Sequence, residues 1–135
     1  MELLVNIDVD DVQQAATFYT AAFDLKLTRW LFDGAVAELE GAGPRIYLLA
    51  KPSASKPYPR AASARDYRRH WTPLHLDFVV SDIDSAVARA LRAGASLESG
   101  VSSFPWGKLA TMVDPFGHGF CLIQFSDSGY DAEGT

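Results

Sequence analysis

The chain repeats itself, and that limits its fold more than any other feature. "NIDVDDVQQAATFY", from Asn6, aligns with "DFVVSDIDSAVARA", from Asp77, at an offset of 71 residues. Asp11 falls on Asp82, Val12 on Ile83 and Ala15 on Ala86. Further on, "GPRIYLL" from Gly43 falls on "GHGFCLI" from Gly117, at an offset of 74. Two similar offsets in the same order read as an internal duplication separated by a small difference in loop length.

Each half has the same grammar. A Val/Leu/Ile-rich extended stretch comes first, "ELLVNIDV" and "PLHLDFVV". A capping arrangement follows, Asp10 with Gln13 and Ser81 with Asp84, in which a short side chain satisfies free N–H groups of a first helical turn. An amphipathic helix is next. Its buried stripe is Val12, Ala15, Ala16, Tyr19 and Phe23 in the first half, and Ile83, Ala86, Val87, Ala90 and Leu91 in the second. Three strands close each half: Lys26–Leu31, Ala35–Glu40 and Arg45–Ala50, then Ser96–Val101, Leu109–Val113 and Gly119–Gln124. "DPFG" suits a type I turn before the last strand. The unit is βαβββ, twice: residues 1–50 and 72–126, joined by a linker at 51–71 and followed by a tail at 127–135. The linker is expected to hold a short helix at Ala62–His70.

At 135 residues and 48% hydrophobic content the chain can bury a core and is not disordered. No apolar run approaches the roughly 20 residues that cross a bilayer, and the acidic "MELLVNIDVDD" is not a secretory signal. A single cysteine, Cys121, makes no internal disulfide. A cytoplasmic location is therefore expected. The net charge of −5 is uneven: residues 51–71 carry six basic residues against Asp66, and the remainder is acidic. An acidic body argues against nucleic acid as partner.

The stretches "VDDVQQAATFYTAAF", "HLDFVVSDIDSAVARALRAGA" and "WGKLATMVDPFGHGFCLIQF" resemble the vicinal oxygen chelate superfamily, the glyoxalase, bleomycin-resistance and dioxygenase group. The resemblance runs from about Leu3 to Phe125. It implies an α+β fold in which two tandem βαβββ modules form an open half-barrel around a concave cleft, a small-molecule ligand, and a homodimer. Relatives with metal chemistry hold a divalent ion with one ligand from the first and one from the last strand of each module. Carried over, those positions are Leu4, Tyr47, His75 and Cys121. Leu4 has no lone pair, and Tyr47 is a poor ligand unless ionised. His75 and Cys121 leave two protein ligands where catalytic zinc usually has three. No cofactor is therefore expected, and His75 is the best single candidate for a metal ligand.

Side chains alternate along a strand, so if His75 faces the cleft so do Asp77 and Val79, and by the duplication Leu4, Asn6 and Asp8 face it as well. The expected ligand-binding set is Asn6, Asp8, Trp30, Tyr47, Leu49, Trp106 and Cys121, with His75 and Asp77 as candidate catalytic groups. Two readings of the polar floor stand side by side. It meets a ligand, or it is a satisfied cluster, for example with His75 bonded to Asn6. A direct His75–Asp77 bond looks awkward, because Cβ atoms at i and i+2 on a strand lie roughly 6–7 Å apart. An enzyme using His75 as general acid or base is the alternative to a binding protein.

Overall fold

The computed structural model describes residues 1–135, the side chain of Ala132 excepted. The chain is α+β and divides into two compact units, Met1–Arg68 and Arg69–Thr135. Each unit is a βαβββ module.

In the first unit, β1 (Leu4–Val9) leads into α1 (Val12–Ala22), then β2 (Lys26–Leu31), β3 (Val36–Glu40) and β4 (Arg45–Ala50). The open four-stranded sheet has the order β1-β4-β3-β2, with β1 parallel to β4 and the other pairs antiparallel. In the second unit, β5 (Leu76–Val79), α2 (Ile83–Ala93), β6 (Ser96–Phe104), β7 (Gly107–Val113) and β8 (Gly119–Phe125) repeat the plan as β5-β8-β7-β6. The register carries the duplication through. Asn6 lies opposite Tyr47 in one sheet and Asp77 opposite Cys121 in the other, the pairs that the two sequence offsets match.

Alternation then sorts the faces. Ile46, Leu48, Ala37 and Leu39 are buried against α1, which presents Val12, Ala15, Ala16, Phe18, Tyr19 and Ala22. Phe18 lies outside the stripe expected from sequence. Its ring makes edge contacts with Tyr19 and Phe23, at 5.0 and 6.1 Å between centroids, and these aromatics widen the buried face. Phe120, Leu122, Ala110 and Met112 form the corresponding floor under Ile83, Val87 and Ala90 of α2. Leu91, expected in that stripe, is exposed.

Two local expectations are corrected, and the tail adds an element the sequence did not suggest. The N-caps are Asp11 and Asp82, one residue beyond the expected Asp10 and Ser81. Asp11 accepts from the N–H of Gln14, and Asp82 from those of Asp84 and Ser85. The segment Ala62–His70 is not helical. Its backbone bonds run across the loop instead: the Arg65 N–H donates to the Ser55 carbonyl and the Ala54 N–H to the Arg65 carbonyl, both at 2.8 Å. Finally, the tail carries a 3₁₀ turn, Gly129–Glu133. The "DPFG" turn forms as expected. The Gly117 N–H donates to the Asp114 carbonyl, and the buried Asp114 carboxylate accepts from the N–H groups of Phe116 and His118.

Candidate functional site

On the face of each sheet turned away from its helix, one row of side chains crosses the strands. In the first module the register aligns Arg29, Glu38, Tyr47 and Asn6. In the second it aligns Ser99, Thr111, Cys121 and Asp77. These rows are equivalent by duplication, yet their chemistry differs.

The first row is closed on itself. The Glu38 carboxylate is buried. It accepts two bonds from the Arg29 guanidinium at 3.0 Å, one from the Thr28 hydroxyl at 2.8 Å and one from the Tyr47 hydroxyl at 3.0 Å. The Arg29 and Thr28 bonds outweigh desolvation and hold the Glu38 pKa down to about 2. Its bond to Glu38, followed by desolvation, pushes the Tyr47 phenol up. Tyr47 is therefore a neutral donor committed to Glu38, not an anionic ligand. Asn6 is exposed at the end of the row, and Leu49 lies one step along the same face, opposite Asp8. Asp8 is ion-paired to Arg65 of the basic segment at 2.7 Å.

The second row is open. His75 Nε2 lies 3.3 Å from Asp77 Oδ1, and both side chains are over a third exposed. The pair that looked awkward from strand geometry forms because His75 precedes β5, which starts at Leu76, and is not bound by its pleat. Cys121 is buried, and its sulfur lies 3.9 Å from the Thr111 hydroxyl. Burial pushes the Cys121 thiol up, Thr111 opposes this, and Asp77 adds to it. The thiol is thus uncharged at neutral pH and a poor nucleophile. One ligand atom each from His75, Asp77 and Cys121 lies within 4.8 Å of the others.

A wall flanks this cluster. The Trp71 ring is tilted 31° against His75 with centroids 4.9 Å apart, and the Arg69 guanidinium lies 5.7 Å from the indole. Trp71 lies against Gly119, where a Cβ would collide with the ring, so only glycine admits this contact. Arg69 is anchored by Glu98. His70 and His118, next to this wall, share a ring-to-ring contact of 2.9 Å. His118 is half-buried and paired with His70.

The divalent metal of the resembled superfamily does not fit the four carried-over positions. Leu4 is apolar, Tyr47 is committed to Glu38, and of the four only His75 and Cys121 offer ligand atoms. The structure adds Asp77 to those two.

Other expected site residues are placed as follows. Trp30 is in register with Ala37, on the helix side of its sheet and opposite the face of the Glu38 row. Trp106 is at the β6–β7 turn, stacked on Phe104 at 5.0 Å and against Tyr130 at 5.3 Å. Arg45 pairs with Glu40 and Glu2. Sequence reasoning missed Glu38, Arg29, Thr111 and Trp71. Glu38 and Thr111 were within reach, since continuing the duplication onto the third strand superposes them. Trp71 carried no periodic signal.

The model of a glyoxalase-like domain matches residues 4–123. An uncharacterized protein of Mycobacterium bovis is 31% identical over 120 residues, covering 86% of this chain and 78% of that protein. The anthracycline biosynthesis protein DnrV of Streptomyces peucetius is 38% identical over 65 residues, 48% of this chain, and the match spans only 22% of the length of DnrV. Among solved structures, the fosfomycin resistance protein FosX of Listeria monocytogenes shares the fold, with a TM-score of 0.70 at 16% identity over 95% of each chain.

Proposed function

The chain belongs to the glyoxalase-like domain family, within the vicinal oxygen chelate superfamily, and from that premise we propose that it binds a small organic molecule against the open face of the β5-β8-β7-β6 sheet, with no catalytic metal in the superfamily's four positions. The observation that carries this reading is the contrast between the two rows. In the first, Arg29, Thr28 and Tyr47 all bond to Glu38, whereas the second leaves His75 and Asp77 exposed beside an indole.

The chemistry of that face defines the ligand class. It offers a carboxylate, an imidazole and an aromatic wall around an uncharged thiol. A planar organic molecule bearing a cationic or hydrogen-bond-donating group complements it. The acidic charge outside residues 51–71 favours a cation. The similarity to an anthracycline biosynthesis protein and the fold shared with a fosfomycin resistance protein support ligands of the natural-product kind. This reading takes the chain as a cytoplasmic homodimer, which sedimentation velocity on the purified protein tests.

Titration calorimetry against cationic glycopeptides and cationic polycyclic aromatics, in the presence of a chelator, is the direct experiment. Binding is expected, and Asp77→Asn should weaken it about tenfold or more if one charged hydrogen bond is lost. Absence of heat across the panel for a folded protein would overturn the reading.

One observation favours a second reading. The 3.3 Å His75–Asp77 separation is that of an imidazole oriented by a carboxylate, the arrangement of a general acid or base. His75→Ala should then abolish turnover on a bound ligand while binding persists. Full turnover in that variant rules the enzyme out.

A further inference from the structure

We propose that His70 and His118 form a pH-operated clasp that holds Trp71 in place and so regulates the ligand face beside His75 and Asp77. The inference rests on the binding reading above and adds how that site is controlled.

The fastening is the first argument. His70 Nε2 and His118 Nδ1 are 2.9 Å apart, with the two rings edge to face at 4.8 Å between centroids. The residues are 48 positions apart in the chain. Their backbones meet as well: the His70 N–H donates to the Gly117 carbonyl at 2.9 Å, and His70 and His118 form an isolated parallel bridge. The stretch that leads into β5 is thereby tied to the start of β8. The seat of the indole is the second argument. Trp71 follows His70, Gly119 follows His118, and the Trp71 ring lies on Gly119. The same ring is tilted against His75. What ties His70 to His118 therefore keeps the indole beside the ligand face.

The proton count is the third argument. The two facing nitrogens bond when one carries a hydrogen and the other a lone pair. That condition holds with both rings neutral and with one of them charged. A second proton sets two N–H groups and two positive charges against each other across the 2.9 Å contact. The closed clasp excludes that proton. It is whole above the ordinary histidine range of about 6.5 and opens as pH falls through it. The neighbouring charges do not change over this interval, because carboxylates ordinarily titrate below about pH 5. Arg69, adjoining His70, is matched by Glu98 of β6. Asp66, earlier in the chain, holds Arg68, and Asp114, in the turn before His118, accepts from the N–H groups of Phe116 and His118. Beyond the indole, His75 faces Asp77. Opening frees Trp71 to leave Gly119, and a planar ligand loses its aromatic wall. Its affinity should fall about three- to tenfold, the weight of one aromatic contact.

The test uses the ligand-free full chain with ¹⁵N-labelled tryptophan. The three indole N–H signals are assigned with Trp71→Phe. His75→Gln serves as the background, so that charging of the site imidazole does not contribute. Lowering the pH from about 7.5 to about 5.5 should shift the Trp71 signal and speed its exchange with water several-fold, while Trp30 and Trp106 hold still. His118→Asn stays polar but takes no second proton, and it should abolish the step. His70→Gln should do the same. A Trp71 signal indifferent to pH would overturn the proposal. So would a step that survives both variants, each with native circular dichroism, or one shared equally by all three indoles. Calorimetry with a cationic polycyclic aromatic at the two pH values separates this inference from the reading it rests on. Absence of heat at both overturns the binding reading, and the indole step still decides the clasp. Equal affinity at both, or an acid loss that His118→Asn does not diminish, overturns the clasp alone.

Discussion

The carboxylate of Glu38 is buried, yet it stays charged. Arg29, Thr28 and Tyr47 supply the hydrogen bonds that water would otherwise give. Its folded pKa of about 2 lies below its ordinary value of 4.5. The sign follows from linkage: the fold prefers the ionised form. The stabilisation is whole above the ordinary value and is lost as pH falls from 4.5 towards about 2. Thermal melts across the acid range should therefore show a steep decline, and Glu38→Gln should lower the melting temperature at neutral pH and flatten that decline. A variant whose melting temperature falls as steeply as the parent's would count against this account. Tyr47 is instructive at the same scale. Sequence alignment placed it in a ligand slot, but alignment says nothing about which neighbour engages the hydroxyl. That neighbour, Glu38, is nine residues away along the chain and adjacent only across the β3–β4 ladder.

At the scale of the element, the helix termini show how much the chain's local pattern encodes. Each helix begins at an aspartate that the duplication superposes, Asp11 on Asp82. The cap was misjudged by one position because Asp10–Asp11 and Ser81–Asp82 are both pairs of good capping residues. The pattern cannot say which of two adjacent capping side chains turns inward. Asp82 accepts from two N–H groups and from the Ser85 hydroxyl, while Gln124 of β8 takes the N–H of Ile83 at 2.9 Å. Asp11 accepts from Gln14 at 3.0 Å. Asp82→Ala should cost about 0.5–2 kcal/mol, and more than Asp11→Ala. Urea denaturation of the two variants checks this, and the reverse order would show that the extra bonds carry no weight. Gly94, with φ of 119°, ends α2 in the left-handed region that favours glycine. Most strand limits were legible because alternation and turn residues act over a few positions, but β6 runs on to Phe104 and β7 starts at Gly107, beyond the expected Val101 and Leu109. The 51–71 segment was not legible. Its composition suits a helix at Ala62–His70, but pairing between residues as far apart as Ala54 and Arg65, and between His70 and Gly117, wins over local propensity.

At the scale of the whole molecule, the charge map is less polarised than composition suggests. Arg65 is matched by Asp8, Arg68 by Asp66 and Arg69 by Glu98. Three of the segment's six basic residues are thus ion-paired, Arg65 and Arg69 to the acidic body and Arg68 to Asp66 within the segment. The remaining negative potential should speed the arrival of a cationic ligand. Stopped-flow association rates should fall as ionic strength rises, with dissociation changing far less. A rate indifferent to salt would argue that the ligand is neutral. The duplication and the two βαβββ modules could be read from one sequence. The different fates of the two rows could not, since that depends on which side chains find partners across strands.

Trp71 also equips the protein with its own gauge. An indole seated on an imidazole loses emission when that ring becomes charged, and its spectrum shifts when solvent beside it is displaced. The column of Arg69, Trp71 and His75 thus converts events at one histidine into light. Occupancy of the second module can be followed in the unlabelled chain, with Trp30 and Trp106 replaced by phenylalanine to leave a single emitter.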